Sequence, residues 1–161
     1  MIFRSLFVAA SVMLVPAMSY AQDIVDGTNI ARLNQIIAEV NPTSSVETDN
    51  DGNLYIRAEH DGWNYDVQFY DCDGNKDCSM MQYVVQFDTN GSYRPEQALA
   101  WHSDWVWGRI SFNDGDVYFE MPINLYGGVT LENFRDSHDL WLTIMGDFVN
   151  EIGWGPSVPP K

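Results

Sequence analysis

Basic residues are scarce. The 161-residue chain has 8 Lys and Arg against 23 Asp and Glu, a formal charge of −15. Nucleic acid is therefore a poor partner, because phosphate binding needs clustered Lys and Arg. Cysteine is nearly absent, with Cys72 and Cys78 alone. Two ligands are too few for a structural zinc site. The five residues between them do not fit the two-residue spacing of C-x-x-C redox chemistry. The chain lacks GxGxxG, a P-loop, HExxH and CxxC, so cofactor chemistry has no sequence foothold. It also lacks a long apolar run. The longest, Leu6–Val15, is ten residues, about half of what a bilayer-spanning helix needs. There is no internal repeat.

What is present is aromatic: 6 Trp, 8 Tyr and 8 Phe in a chain that is 45% hydrophobic. Such content at this length supports one folded domain and argues against disorder. The apolar run near the start follows Arg4 and precedes Pro16 and the small-residue site Ser19-Tyr20-Ala21. That arrangement reads as a secretory signal peptide over residues 1–21, cleaved between Ala21 and Gln22, and not as a membrane anchor. The expected product is a periplasmic or secreted acidic domain over residues 22–152, with a Gly/Pro-rich tail over 153–161. In an oxidising compartment Cys72 and Cys78 are expected to form a disulfide. Closing so short a loop contributes about 2 kcal/mol.

Six Asx-Gly pairs (at 26–27, 51–52, 61–62, 73–74, 90–91 and 114–115) punctuate the chain as turns. Between them the periodicity reads in order. Ile30, Leu33, Ile37 and Val40 make a helical stripe with Thr28 as N-cap. Leu54–Ala58, Trp63–Tyr70 and Met81–Phe87 alternate as a three-stranded meander, with the disulfide across its second turn. Pro95 opens a helix running to about Asp104, with Leu99 and Trp101 toward its buried side. Strands near Trp107–Asn113 and Asp116–Leu125 follow. Thr130 then caps a long helix with Leu131, Phe134, His138, Trp141, Met145, Phe148 and Ile152 at heptad spacing. The order α-βββ-α-ββ-α gives an α+β fold, an antiparallel sheet with segregated helices.

Three chemical readings compete. The alternation Asp71, Asp73, Asn75, Asp77 resembles the start of an EF-hand loop, but Lys76 stands where Gly belongs and Gln82 where Glu belongs, so no metal site is assigned. A small hydrolase would use His102 with a nearby acid. Ser103, however, lacks a nucleophile-elbow context and points away from its neighbour on a helix. His138 lies on the heptad stripe and reads as a core residue. Trp101 and Trp105 are one helical turn apart, with Trp107 next. Together with His102 and Arg109 they form a candidate apolar recognition surface for a polypeptide, the alternative being burial. A homodimer through the Leu131–Ile152 stripe is a further alternative.

Several segments, in order, resemble the YbjN family of bacterial sensory transduction regulators. Thr48–Ile56 is similar to its acidic turn before the first strand. Val67-Gln-Phe-Tyr-Asp-Cys72 with Cys78 resembles its FYDC…C segment. Trp101–Arg109 resembles its WN…RFGR stretch, and Gly127–Thr130 opens the last helix bearing Trp141 and Phe148. His102 replaces the family's Asn, and Val106-Trp107 replaces its Arg-Phe. The resemblance implies a fold like that of type III secretion chaperones, often dimeric, with no established enzyme activity and no cofactor. It also implies a role in stress or envelope regulation.

Overall fold

The computed structural model describes residues 22–154. Its elements run β1 (Ile24–Val25), α1 (Ile30–Ile37), β2 (Ser45–Thr48), β3 (Leu54–His60), β4 (Trp63–Tyr70), β5 (Met80–Phe87), α2 (Pro95–Asp104), β6 (Arg109–Asn113), β7 (Asp116–Asn124), β8 (Val129–Thr130) and α3 (Leu131–Glu151). Six strands form one antiparallel sheet in the order β2-β3-β4-β5-β7-β6. The fold is α+β, as expected. Two small additions enlarge the expected order. β2 adds an outer strand to the meander, and β1 pairs with β8 as a two-stranded clip at the start of α3. The clip is tightened by Arg32, which donates to Ile24 O at 2.8 Å and to Asp23 at 2.5 Å.

Alternation fixes which face is buried. Ile56 and Ala58, Tyr65 and Val67, Met81, Tyr83, Val85 and Phe87, and Val117, Phe119 and Met121 all point to one face and are buried. On that face α3 lays Phe134, His138, Trp141, Met145 and Phe148, each 2% exposed or less. Phe119 stacks on Phe148 at 4.4 Å, and Tyr83 on Trp141 at 5.4 Å. The heptad stripe is thus buried in its own domain and does not present a dimer face. α1 adds Ile30, Leu33 and Ile37, and the Glu39–Arg135 pair ties it to α3 at 2.8 and 2.9 Å.

Several local expectations change. Asn29, not Thr28, caps α1, its side chain accepting from Arg32 N, while the Thr28 hydroxyl bonds Asp26. α1 ends at Ile37, and Val40 is 49% exposed. Leu99 faces solvent at 67% exposure, not the core. Asp114-Gly115 is a two-residue turn with both φ angles positive, 49° and 90°, as its sequence suggests. Asp26-Gly27 is not a turn. Gly27 bridges to Cys78, and a Cβ there would lie 1.9 Å from the Cys78 carbonyl oxygen, so close backbone approach demands the glycine. Cys72 and Cys78 form the expected disulfide between β4 and β5. No helix among the described residues is long and apolar enough to cross a membrane. The expected signal segment, residues 1–21, and most of the expected tail lie outside the described residues. Trp154, at the start of that tail, stacks on Trp63 at 5.9 Å and so packs with the domain.

Candidate functional site

Of the five residues expected to share a surface, Trp101, Trp105 and Trp107 meet at the α2–β6 corner but divide by burial, while His102 stands exposed on α2 and Arg109 lies on the other face of the sheet. Trp101 is 3% exposed. Its ring meets Phe119 and Phe148 edge-on at 5.4 and 5.3 Å, and its Nε1–H donates to Trp107 O at 3.3 Å. It is a core residue, so burial, the alternative reading, holds for Trp101, and it drops out of the candidate surface. Trp105 stacks on Trp101 at 5.0 Å and is 40% exposed, while Trp107 is 53% and Val106 91% exposed. The helix ends at Asp104 and the backbone of Trp105 is extended, which turns these side chains off the helix and outward. Phe112 on β6, exposed and stacked on Tyr93 at 6.3 Å, extends the apolar ground. Gly108 lets the chain pass directly over Phe119, where a Cβ would meet the ring at 2.2 Å.

Arg109 starts β6 and belongs to a polar cluster on the uncovered sheet face. Its guanidinium bonds Glu120 at 2.7 and 2.6 Å, while Ser111 Oγ and Gln82 Nε2 donate to the same carboxylate at 3.1 and 2.9 Å. Glu120 is 6% exposed, and four donated bonds hold its charge there. Alternation alone places Glu120 on the solvent side of β7. Its burial comes from the side chains on either side, which single-strand periodicity does not reveal.

His102 is exposed on α2. The Ser103 hydroxyl beside it donates to Leu99 O at 3.0 Å, back into the helix, so the two do not meet as base and nucleophile. His138 is held differently. Asn41 Nδ2 donates to Glu59 O at 2.8 Å, which leaves Asn41 Oδ1 to accept from the Tyr65 hydroxyl at 3.0 Å. The Tyr65 oxygen then accepts from His138 Nε2–H at 2.9 Å. Burial lowers the His138 pKa to about 4 and raises that of Tyr65, so this network is neutral and structural. In the Cys72–Cys78 loop, Asn75 accepts from Leu54 N at 3.0 Å and donates to Gly52 O at 3.1 Å. That side chain therefore ties two turns together instead of facing a cation.

A cleft of ≈ 510 Å³ opens over the β2–β4 end of the uncovered face. Several of its polar side chains are paired, Arg57 with Asp66 at 2.7 Å and Tyr70 with Gln68 at 2.7 Å inside it, and Tyr55 with neighbouring Glu47 at 2.7 Å.

No curated protein matches the chain. A family profile, described as "Putative bacterial sensory transduction regulator", matches residues 29–154. The matched span runs from the cap of α1 to Trp154 and takes in the whole six-stranded sheet and both the Cys72–Cys78 and Trp101–Arg109 segments. The chain belongs to the YbjN family.

Proposed function

We propose that the chain is an exported, non-enzymatic domain that binds polypeptide at its α2–β6 corner. One observation carries this reading. Among the described residues ten large hydrophobics are exposed, and five of them, Leu99, Trp105, Val106, Trp107 and Phe112, fall within one fourteen-residue stretch. Concentrated exposed apolar surface marks recognition sites, and Trp is prominent among binding hot spots. The nearby charge is mostly negative, with Glu96, Asp104, Asp114 and Asp116 against Arg94 and the ion-paired Arg109. A partner segment that is apolar and carries basic residues complements such a surface. The pattern Arg4, Leu6–Val15, Ala21-Gln22 and the disulfide support export. The regulator description of the family supports a role without chemistry of its own.

The test uses the exported chain on synthetic peptides of defined composition, immobilised in an array. Apolar–basic peptides should retain the protein and apolar–acidic ones should not. The double variant Trp105→Ser/Trp107→Ser, with unchanged thermal unfolding, should lose retention. Equal retention by the variant, or no retention on any composition, would overturn the proposal.

A further inference from the structure

The partner's conformation is written in the register of β6. Asn113 and Asp116 close the two-residue Asp114-Gly115 turn, so they form a hydrogen-bonded pair, and the pairs alternate from there. Arg109, Ser111 and Asn113 therefore aim their backbone N–H and C=O groups at β7. Ile110 and Phe112 aim theirs away from it, toward the open edge of the sheet. No hydrogen bond from a turn or loop among the described residues reaches the backbone of either. β6 is the last strand on its side of the sheet.

The two edges of the sheet differ. β2 has four residues, with Glu47 exposed, and runs into the acidic turn Asp49-Asn50-Asp51. Charge is one way sheet edges avoid pairing, and since β6 at five residues is scarcely longer, charge is what separates the two edges. β6 has no charge between Arg109 and Asn113, carries exposed Phe112 and follows closely on exposed Trp107. The faces also differ. Ile110 and Phe112 pair with Phe119 and Val117 on the helix-covered side, whereas Arg109, Ser111 and Asn113 share the polar side. A strand added there would place alternate residues against apolar and polar neighbours. Toward the hairpin end the polar neighbours are followed by Asp114 and Asp116.

We infer that β6 is a docking edge that takes an extended segment of a partner polypeptide as a seventh strand. Resting on the proposed polypeptide-binding reading, the inference adds the mode and the chemistry. The segment alternates apolar residues, on the side of Phe112, with polar and basic residues facing Asp114 and Asp116. Backbone hydrogen bonds from Ile110 and Phe112 hold it, and Phe112 lines its apolar side.

The experiment uses an acetylated decapeptide alternating Val with Lys or Thr, a matching Val/Glu peptide, and single backbone N-methylations along the first. Hydrogen exchange at Ile110 and Phe112 is followed by NMR. Strand addition requires a period of two: N-methylation on the register facing β6 should weaken binding at least tenfold, and on the other register by less than threefold. The Ile110 and Phe112 amides should exchange fast in the free protein and become protected when the peptide binds, while Ser111 stays protected throughout. The Glu peptide should bind at least tenfold more weakly. Peptide binding that is lost in Trp105→Ser/Trp107→Ser but shows no alternation would overturn strand addition and leave polypeptide binding standing. Absence of any peptide binding would overturn both. Equal affinity for the Lys and Glu peptides would overturn the basic partner. Protection of Ile110 and Phe112 without peptide, with a mass that rises with concentration, would make a second copy the occupant and overturn the inference as stated.

Discussion

Acidification should weaken the domain through one residue, His138. Its imidazole is 2% exposed, lies parallel to Tyr83 at 5.7 Å and donates to the Tyr65 hydroxyl. Burial lowers its pKa from 6.5 to about 4; the neighbouring Asp139 carboxylate favours the charged form and His60 opposes it, both less than burial does. The unfolded chain therefore binds a proton that the folded chain refuses across this interval. Stability is complete above pH 6.5 and is lost as pH falls toward 4. The full interval corresponds to about 3 kcal/mol, and the step from pH 7 to pH 5 to about 2 kcal/mol. The carboxylates of Asp26, Glu47 and Asp49, held below their ordinary values by hydrogen bonds, lose their contributions at lower pH and do not overlap this step. Urea unfolding at pH 7 and pH 5, for wild type and His138→Phe, reads the difference. Phenylalanine keeps the stacking, and Tyr65 still donates to Asn41. The wild type should lose about 2 kcal/mol more than the variant over that step. Equal losses in the two proteins would refute the assignment of the proton to His138.

Three further outcomes follow from the packing. Trp101→Ala should cost about 4 kcal/mol, because it opens a cavity between Phe119 and Phe148, whereas Trp107→Ala should change stability by less than about 0.5 kcal/mol; thermal and urea unfolding separate them. Arg109→Ala should cost about 2 kcal/mol by removing the cation from buried Glu120, with the exposure of Arg109 itself moderating the effect. Adding Glu120→Gln should recover most of that loss in the same denaturation assay. Reduction of Cys72–Cys78, or the paired Ser variant, should lower stability by about 2 kcal/mol and speed exchange of the Cys78 amide, which donates to Gly27 O at 3.0 Å.

Much of the fold could be read before any coordinates. The Leu131–Ile152 stripe is a helix because its spacing holds for six turns, and it packs on the sheet because a stripe that apolar must be covered. Trp63–Tyr70 shows the two-residue alternation of a half-buried strand and Met81–Phe87 reads alike, although β5 buries Met81 to Val85 on both faces, and the cysteines bracket the turn between them. β2 was not legible, since Ser45-Val-Glu-Thr48 has a single apolar residue and owes its conformation to β3. The candidate site was only half legible. The i, i+4 spacing of Trp101 and Trp105 places them near one another, but it does not say that α2 ends between them. That ending sends one ring into the core and the other half into solvent. The exposure of Phe112 and Val106 is not legible, because an exposed apolar residue looks, in sequence, like a buried one. The free edge of β6 depends on which strand pairs with which, a nonlocal fact that no window of sequence contains.

The most direct measurement is a calorimetric titration of the disulfide-bonded protein with the alternating Val/Lys decapeptide, alongside the folded Trp105→Ser/Trp107→Ser variant. Polypeptide binding at the α2–β6 corner requires saturable, one-to-one binding by wild type and an affinity at least tenfold lower in the variant. Equal affinities, or no binding by the wild type, would contradict it.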